Sequence, residues 1–170
     1  MSNALSLKRY TQEDDALKAW SDVEASTEAV RLYALCNSPY PTGQTELWNV
    51  VLKDVLNAAF RFAVHARRVL EIEENVDSEV GPTGVENYLT RNYGQSFCFE
   101  KNLRRAISKI IHARKIAVLT DRGKARGNSI LKFEEADMVV ALEIKSDRGK
   151  EFHVSPQGIA WGYLNRGQSA

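Results

Sequence analysis

Apolar residues recur every three to four positions through the N-terminal half of the chain, which is the spacing of amphipathic helices. We predict that a first helix starts near Thr11, because Thr11 and Asp14 stand at the spacing of a helix capping box. The turn signal NSPYPTG at 37–43 ends it. Its expected buried stripe comprises Leu17, Trp20, Val23, Thr27, Val30 and Ala34.

A second predicted helix runs from about Thr45 to Glu74, and the short turn before it favours an antiparallel helical hairpin. The last turn of this helix, EIEEN, is acidic, which is the unfavourable sign at a helix C-terminus. We therefore expect a basic partner there, for which segment 101–126 is the candidate. The expected buried stripe comprises Leu47, Val51, Val55, Ala58, Phe62, Ala66 and Val69.

Further along the chain, helical spacing gives way to strand spacing. A short helix is predicted at about 85–91 and a third main helix at about 99–113, followed by a short strand at 116–119. Segments 138–144 and 151–154 flank a turn that contains Asp147 and Gly149, which predicts a β-hairpin. Ser155-Pro156 is an N-cap signal for a closing helix. That helix is expected to bury Ile159, Trp161 and Leu164.

These elements predict a mainly α fold of the α+β class, formed as one domain over 1–170. An antiparallel helical bundle is expected at about 11–113, and a small C-terminal β-hairpin with a closing short helix at about 115–165. Hydrophobic residues make up 44% and charged residues 26% of the chain, as in soluble globular proteins. The chain lacks a membrane-length apolar run and a secretory signal, so we expect a cytoplasmic protein.

The chain contains none of the common sequence motifs that indicate a bound metal ion or another cofactor. Cys36 and Cys98 are far apart and form no CxxC pair, and Cys98 between two phenylalanines is expected to be core. The chain has no phosphate-loop, Gly-x-Ser-x-Gly or His-Glu-x-x-His motif. We therefore expect no metal ion and no cofactor.

Positive charge is concentrated in one segment. Residues 1–90 hold 8 Lys and Arg against 14 Asp and Glu, whereas residues 91–170 hold 15 against 8. Between 101 and 126 nine basic residues accompany a single acidic one, Asp121. Such a concentration is a candidate footprint for a polyanion. The residues that we expect to contact nucleic acid are Arg104, Ser108, Lys109, Arg114, Lys115, Arg122, Lys124 and Arg126.

The predicted third helix separates its core face from a polar face. On a helical wheel Ile107 and Ile110 fall within roughly 40° of Leu103, whereas Arg105 and His112 lie on the opposite side at roughly 180–200°. Histidine exchanges protons near neutral pH, and arginine offers paired donors to a phosphate. RNA cleavage by its own 2′-hydroxyl needs those two functions and no metal. A solvated surface face is the alternative interpretation of the same pattern.

This helix resembles the motif helix of HEPN domains (higher eukaryotes and prokaryotes nucleotide-binding). Arg105 and His112, with six residues between them, are similar to the family's Arg-x(4–6)-His motif, and the string LRRAISKIIHA resembles uncharacterised bacterial HEPN-like proteins. The hairpin containing Arg148–Phe152 is similar to the short β-appendage of such proteins. Members that cut RNA usually have a polar residue after the motif arginine, where this chain has Ala106.

The resemblance implies a helical bundle that forms a homodimer, with two motif helices meeting at a two-fold axis. His112 would then transfer protons, Arg105 would position the scissile phosphate, and Ser108 and Lys109 would hold a neighbouring phosphate or the partner helix. The expected partners are RNA, a second copy of the chain, and a protein antitoxin or regulator.

Two functional hypotheses stay open. The first is a metal-independent endoribonuclease of a toxin or defence system. The second is a non-catalytic module that binds a protein or nucleic acid through its basic 101–126 segment. Arg61, His65 and Arg68 form a further basic strip on the second helix, which is either a second site or a solvated stripe. His153 is expected to be an outward residue of the hairpin.

Overall fold

The computed structural model describes residues 14–73, 78–94, 97–122 and 135–168. Predictions made for Thr11, Lys124 and Arg126 lie outside these ranges. The chain combines helices with a small antiparallel sheet, which confirms the α+β class. In chain order the elements are α1 (Asp14–Cys36), β1 (Tyr40–Pro41), α2 (Thr45–Ile72), α3 (Val85–Tyr93), α4 (Leu103–Ile111), β2 (Lys115–Asp121), β3 (Ala136–Lys145), β4 (Glu151–Val154) and α5 (Pro156–Leu164).

Helices α1 and α2 form the predicted hairpin, and the spacing of α2 identified its core face. The buried residues of α2 include Val51, Val55, Ala58, Phe62, Ala66 and Val69, as predicted. The exception is Leu47 in the first turn, which is 41% exposed. The rest of the stripe is covered because α2 packs against α1 on one side and α4 on another.

The predicted core face of α1 is wrong. Trp20, Val23 and Val30 are 48%, 64% and 57% exposed, although the spacing marked them as buried. The buried residues are instead Ser21, Ala25, Glu28, Ala29, Leu32 and Cys36. Most of these side chains are small, and small residues let helix backbones approach closely. Helix α1 thus has two stripes of mostly uncharged residues. Close packing against the neighbouring helices buries the stripe with the smaller side chains.

The sheet is built around β3. Strand β2 pairs antiparallel with β3 over Met138–Lys145, while β1 and β4 pair with β3 on the other edge. The β3–β4 hairpin is confirmed, and its turn needs Gly149 because φ is +77° there. Strand β1 was not predicted. The hairpin is part of the core and not an appendage, since Leu142, Ile144 and Val154 pack with residues of the helices.

His153 and Cys98 are placed opposite to their predictions. His153 is 3% exposed, with Nε2 3.3 Å from Glu143 Oε2, whereas Cys98 is exposed. The cause is the segment before α4, which covers β4: the His153 amide donates to Cys98 O at 2.7 Å, and the Glu100 amide donates to His153 O at 2.9 Å. A hairpin pattern contains no information about such a covering segment.

The N-cap of α5 is confirmed, but its predicted core face is partly wrong. The Ser155 hydroxyl accepts from the Gly158 amide at 2.9 Å, and Ile159 is buried. Trp161 and Leu164 are 41% and 37% exposed, while Tyr163 is fully buried. The side of α5 that carries Gly158 and Gly162 faces the 79–83 segment; a Cβ on Gly162 would lie 2.6 Å from the carbonyl oxygen of Glu79.

Arg166 compensates the acidic end of α2, which corrects the expectation for segment 101–126. Its guanidinium lies 2.9 Å from Asp22 Oδ1 and 3.1 Å from Glu73 Oε2, and Lys18 adds a contact of 3.3 Å to Glu73. Tyr163 donates to Asp22 at 2.6 Å. Burial alone would raise the pKa of both carboxyls. At Asp22 the hydrogen bond from Tyr163 and the charge of Arg166 outweigh burial, so the pKa is lowered. At Glu73 the hydrogen bonds and charges of Arg166 and Lys18 have the same effect. This cluster joins α1, the end of α2, the last turn of α5 and Arg166 just after it.

We predict that Arg166→Met lowers the free energy of unfolding by about 2 kcal/mol at pH 7, because it leaves Glu73 partly buried without its main partner. Because the pKa values of both carboxyls are lower in the folded chain, ionisation of these groups stabilises the fold. This stabilisation is complete above the pKa of about 4 that the groups have in the unfolded chain, and it is lost as the pH falls below that value. The difference from wild type should therefore shrink at pH 3. Urea titrations at both pH values measure it.

The matched control is Arg67→Met, which removes an exposed ion pair to Glu71 within α2. It should cost less than about 0.5 kcal/mol. Equal losses for the two variants would contradict the assigned role of Arg166.

Candidate nucleic-acid interface

Helix α4 begins where the side chain of Asn102 caps it and ends at Ile111. Asn102 Oδ1 accepts from the Arg105 amide at 3.0 Å, and Leu103, Ile107 and Ile110 are buried, as the wheel predicted. The helix is shorter than the expected 99–113. His112 is therefore the C-cap, with φ −97° and ψ 14°, and lies just beyond the helix proper.

Arg105 and His112, the two motif residues, have different surroundings. The side chain of Arg105 is 72% exposed, and its Nε lies 3.5 Å from Glu100 Oε1 near the start of α4. His112 is also exposed but lies against the β3–β4 hairpin at the other end of the helix. Seven residues of helix separate the two positions by about 10 Å along the axis. Arg105 is not among the residues that line the cleft at His112.

His112 lines a shallow cleft between the end of α4 and the β3–β4 hairpin. The cleft has a volume of about 160 Å³. Lys109 Nζ lies 3.4 Å from the centre of the Phe152 ring, a cation–π contact that positions the lysine at the edge of the cleft. The lining residues are Ser108, Lys109, His112, Ile144, Ser146 and Phe152. Three of them come from the hairpin and were not among the predicted site residues.

Exposed basic residues lie in the chain segments that border this cleft, although Lys115 and Lys145, next to Ile116 and Ile144, face the other side of the sheet. The Arg114 amide donates to Lys145 O at 2.9 Å, and Lys115 is paired with Lys145 in the β2–β3 register. The turn that follows β3 adds further cations. We call the cleft and these five residues the basic cleft; the five are Arg114, Lys115, Lys145, Arg148 and Lys150, all exposed. The neighbouring acidic residues of this turn and strand are Asp147 and Glu151.

Sequence reasoning found Arg114 and Lys115 but missed Lys145, Arg148 and Lys150. The run KSDRGK is visible as a basic turn, yet nothing in its spacing places it beside the end of α4. Antiparallel pairing of β2 with β3 brings the two segments together.

Other basic residues of the 101–122 segment are paired or lie elsewhere. Lys101 Nζ is 3.0 Å from Glu86, and Arg122 Nε is 3.7 Å from Asp137. Arg104 lines a separate pocket of about 140 Å³ between α2 and α4. The charge concentration therefore overstates the cationic surface, because acidic residues from distant segments neutralise part of it.

The basic residues Arg61, His65 and Arg68 on α2 do not extend the basic cleft. Arg61 lies 3.8 Å from Glu28, and Arg68 lies 5.8 Å from the centre of the Trp20 ring, so both are directed towards α1. His65 contacts the same ring edge-on, at 5.1 Å between centres.

No family model, no curated protein and no solved structure matches the chain. In the described ranges no group of three or more His, Cys, Asp or Glu residues is placed to hold a metal ion. None of the helices described here combines the length and apolar character that crossing a membrane requires.

We predict that Asn102→Ala lowers the free energy of unfolding by about 1 kcal/mol, because the first turn of α4 loses its side-chain cap. Asn102→Asp is the matched control: a carboxylate can also accept from the Arg105 amide and is favourable at a helix N-terminus. Chemical denaturation of the three proteins measures the effect. Equal stability of wild type and Asn102→Ala would show that this cap does not stabilise α4.

Proposed function

We propose that the protein binds RNA through the basic cleft. The observation that carries the proposal is the meeting of three chain segments that are rich in exposed basic residues: the end of α4, the start of β2 and the β3–β4 turn. Phosphates are bound mainly by lysine and arginine, and hydroxyl groups such as those of Ser108 and Ser146 supply further donors. A flexible single strand can follow a surface of this kind.

The size of the cleft supports a polymer over a small-molecule ligand. Its volume of about 160 Å³ is below the roughly 300–1,000 Å³ of pockets that enclose small molecules. A single phosphate or sugar fits such a depression, where Lys109 lines the wall, and the basic residues of the neighbouring segments would contact further phosphates. The non-catalytic binding hypothesis requires no more than this arrangement.

We further propose that the chain is HEPN-like. The α1–α2 hairpin packed against a motif-bearing helix, together with the string LRRAISKIIHA, supports this assignment. Homodimer formation, a protein antitoxin or regulator and a cytoplasmic location belong to the same proposal.

A metal-independent endoribonuclease is the second candidate, and the position of His112 favours it. His112 is exposed in the cleft, near the ammonium group of Lys109. The imidazole would take the proton of a 2′-hydroxyl, whose oxygen attacks the adjacent phosphorus and forms a 2′,3′-cyclic phosphate. The bond to the 5′-oxygen of the next nucleotide breaks, and the imidazolium returns the proton to that oxygen. Lys109 would stabilise the charge that develops on the phosphate. Arg105 lies about 10 Å along the helix axis from His112 and does not line the cleft, so in this mechanism it would reach the site from a second copy.

We predict that single-stranded RNA binds with an affinity that falls steeply with salt, since each phosphate contact contributes about −0.7 to the slope of log K against log salt concentration. Lys109→Glu should weaken binding by about ten-fold at low salt and reduce the slope by about one, because Lys109 lines the cleft. Fluorescence anisotropy of a labelled oligonucleotide measures both quantities.

The matched control is Lys53→Glu, an equal charge change at an exposed position of α2. Lys53 lies about 20 Å along α2 from Arg67, which borders α4. A slope near zero, or equal weakening by the two variants, would exclude the basic cleft as an RNA site.

For the nuclease, we predict that wild type cleaves total RNA in the presence of EDTA and that His112→Ala is at least about 100-fold slower, because general acid–base groups contribute about 10²–10⁴ in rate. His65→Gln, outside the cleft, should cleave like wild type. Intact RNA with concentrated wild type, or equal cleavage by wild type and His112→Ala, would leave the non-catalytic binding function.

A further inference from the structure

The pocket between α2 and α4 has an apolar floor and a charged rim, and we call it the α2–α4 pocket. Its volume of about 140 Å³ is close to the volume of about 160 Å³ of the cleft at His112. Leu70 of α2 and Ile107 of α4 are each 1% exposed, so they form its floor. The polar residues that line it are Arg67, Glu71, Arg104 and Ser108.

Ser108 lines the α2–α4 pocket and also the cleft at His112. In the sequence it lies four residues after Arg104 and four residues before His112, and residues at this spacing are neighbours on one side of a helix. Arg104 and His112 are therefore about 12 Å apart along the axis of α4, with Ser108 between them. A ligand longer than either depression can pass from one to the other over Ser108.

We infer that the α2–α4 pocket holds a second sugar–phosphate unit of the RNA strand that binds in the basic cleft. This inference rests on the proposed RNA binding, and it names the path by which the strand leaves the cleft. Phosphates of a stacked strand are spaced by about 3.4 Å along its axis, so about 12 Å corresponds to about four nucleotides, or fewer in an extended strand. A strand bound at His112 therefore reaches Arg104 within this length.

Two guanidinium groups from different helices define the chemistry of the α2–α4 pocket. Arginine has five N–H donors in a planar fork, and this geometry matches the oxygens of a phosphate. Arg67 lines the pocket from α2 and Arg104 lines it from α4, so a phosphate bound there would accept hydrogen bonds from both helices. The hydroxyl of Ser108 is a further donor, and the apolar floor would contact the sugar. This set of groups suits one sugar–phosphate unit.

Glu71 offsets part of the positive charge in the α2–α4 pocket. Its Oε1 lies 2.7 Å from Nε of Arg67, and the side chains of Glu71 and Arg67 are 60% and 45% exposed. Exposed ion pairs of this kind are weak, and this one engages only one of the N–H groups of Arg67. A phosphate can therefore bind Arg67 beside Glu71, although the carboxylate repels it. Removing the charge of Glu71 should tighten RNA binding, whereas removing that of Arg67 should weaken it.

A purely structural role of the Arg67–Glu71 pair predicts a different result. Neutralising either residue breaks the same ion pair, so the two variants would then behave alike. Opposite effects on RNA affinity, larger than those of the same charge changes elsewhere on α2, are expected only if a phosphate lies close to both side chains.

Fluorescence anisotropy of the full chain with a labelled single-stranded RNA of about 12 nucleotides tests the inference over a range of salt concentrations. Arg67→Met should weaken binding about five-fold at low salt and reduce the slope of log K against log salt concentration by about 0.7, the contribution of one phosphate contact. Glu71→Gln should tighten binding at least about two-fold, because it removes a like charge beside the phosphate.

The matched controls are Lys53→Met and Glu46→Gln, which make the same charge changes at exposed positions nearer the start of α2. Arg67→Met binding RNA like Lys53→Met, or Glu71→Gln binding no more tightly than Glu46→Gln, would overturn the inference. If Lys109→Glu still weakens binding in that case, the basic cleft remains the RNA site and only the path across Ser108 is excluded. A wild-type chain without salt-dependent RNA binding would exclude both proposals.

Discussion

Antiparallel backbone pairing along β3 is the constraint on which the arrangement of this protein depends. Buried peptide groups must be hydrogen-bonded, and a strand as buried as β3 meets that requirement through neighbouring strands. Strand β2 pairs on one edge, and β1 and β4 on the other. The beginning of β2 is thereby held beside the end of β3 and the turn that follows it. Since β2 starts three residues after His112, the same pairing places the end of α4 against the hairpin and forms the basic cleft.

A second constraint acts on α1, where ion pairs and close packing decide which stripe faces inward. Lys18, Asp22 and Glu28 find partners in Glu73, Arg166 and Arg61, all of which lie outside α1. With these pairs formed, the small residues Ala25 and Ala29 are turned into the core and Trp20 is turned out. The charged residues of a helix are usually its most exposed ones, but here several are directed to the flanks. The exposed, uncharged stripe of Trp20, Val23, Thr27 and Val30 on α1 is the direct consequence.

The basic cleft of one chain carries the binding proposal, whereas cleavage needs a contribution from outside it. Arg105 lies at the start of α4 and His112 just after its end. If the α4 helices of two copies meet, as the HEPN resemblance implies, Arg105 of one copy can approach His112 of the other. The position of the two-fold axis therefore bears directly on whether the cleft binds RNA or also cuts it.

The sequence by itself determined the elements that depend on local chemistry. The apolar spacing of α2 predicted its buried face, and the helical wheel of α4 predicted that Leu103, Ile107 and Ile110 are buried. The β3–β4 turn and the Ser155 cap were predicted from residues whose backbone preferences act over a few positions. Only the tertiary structure decided which stripe of α1 is buried, that His153 is covered by segment 98–100, and that the basic β3–β4 turn borders the cleft lined by His112. These features depend on contacts between residues far apart in the chain. Periodicity describes the faces of one element, whereas burial and charge pairing depend on the neighbours that the fold brings to it.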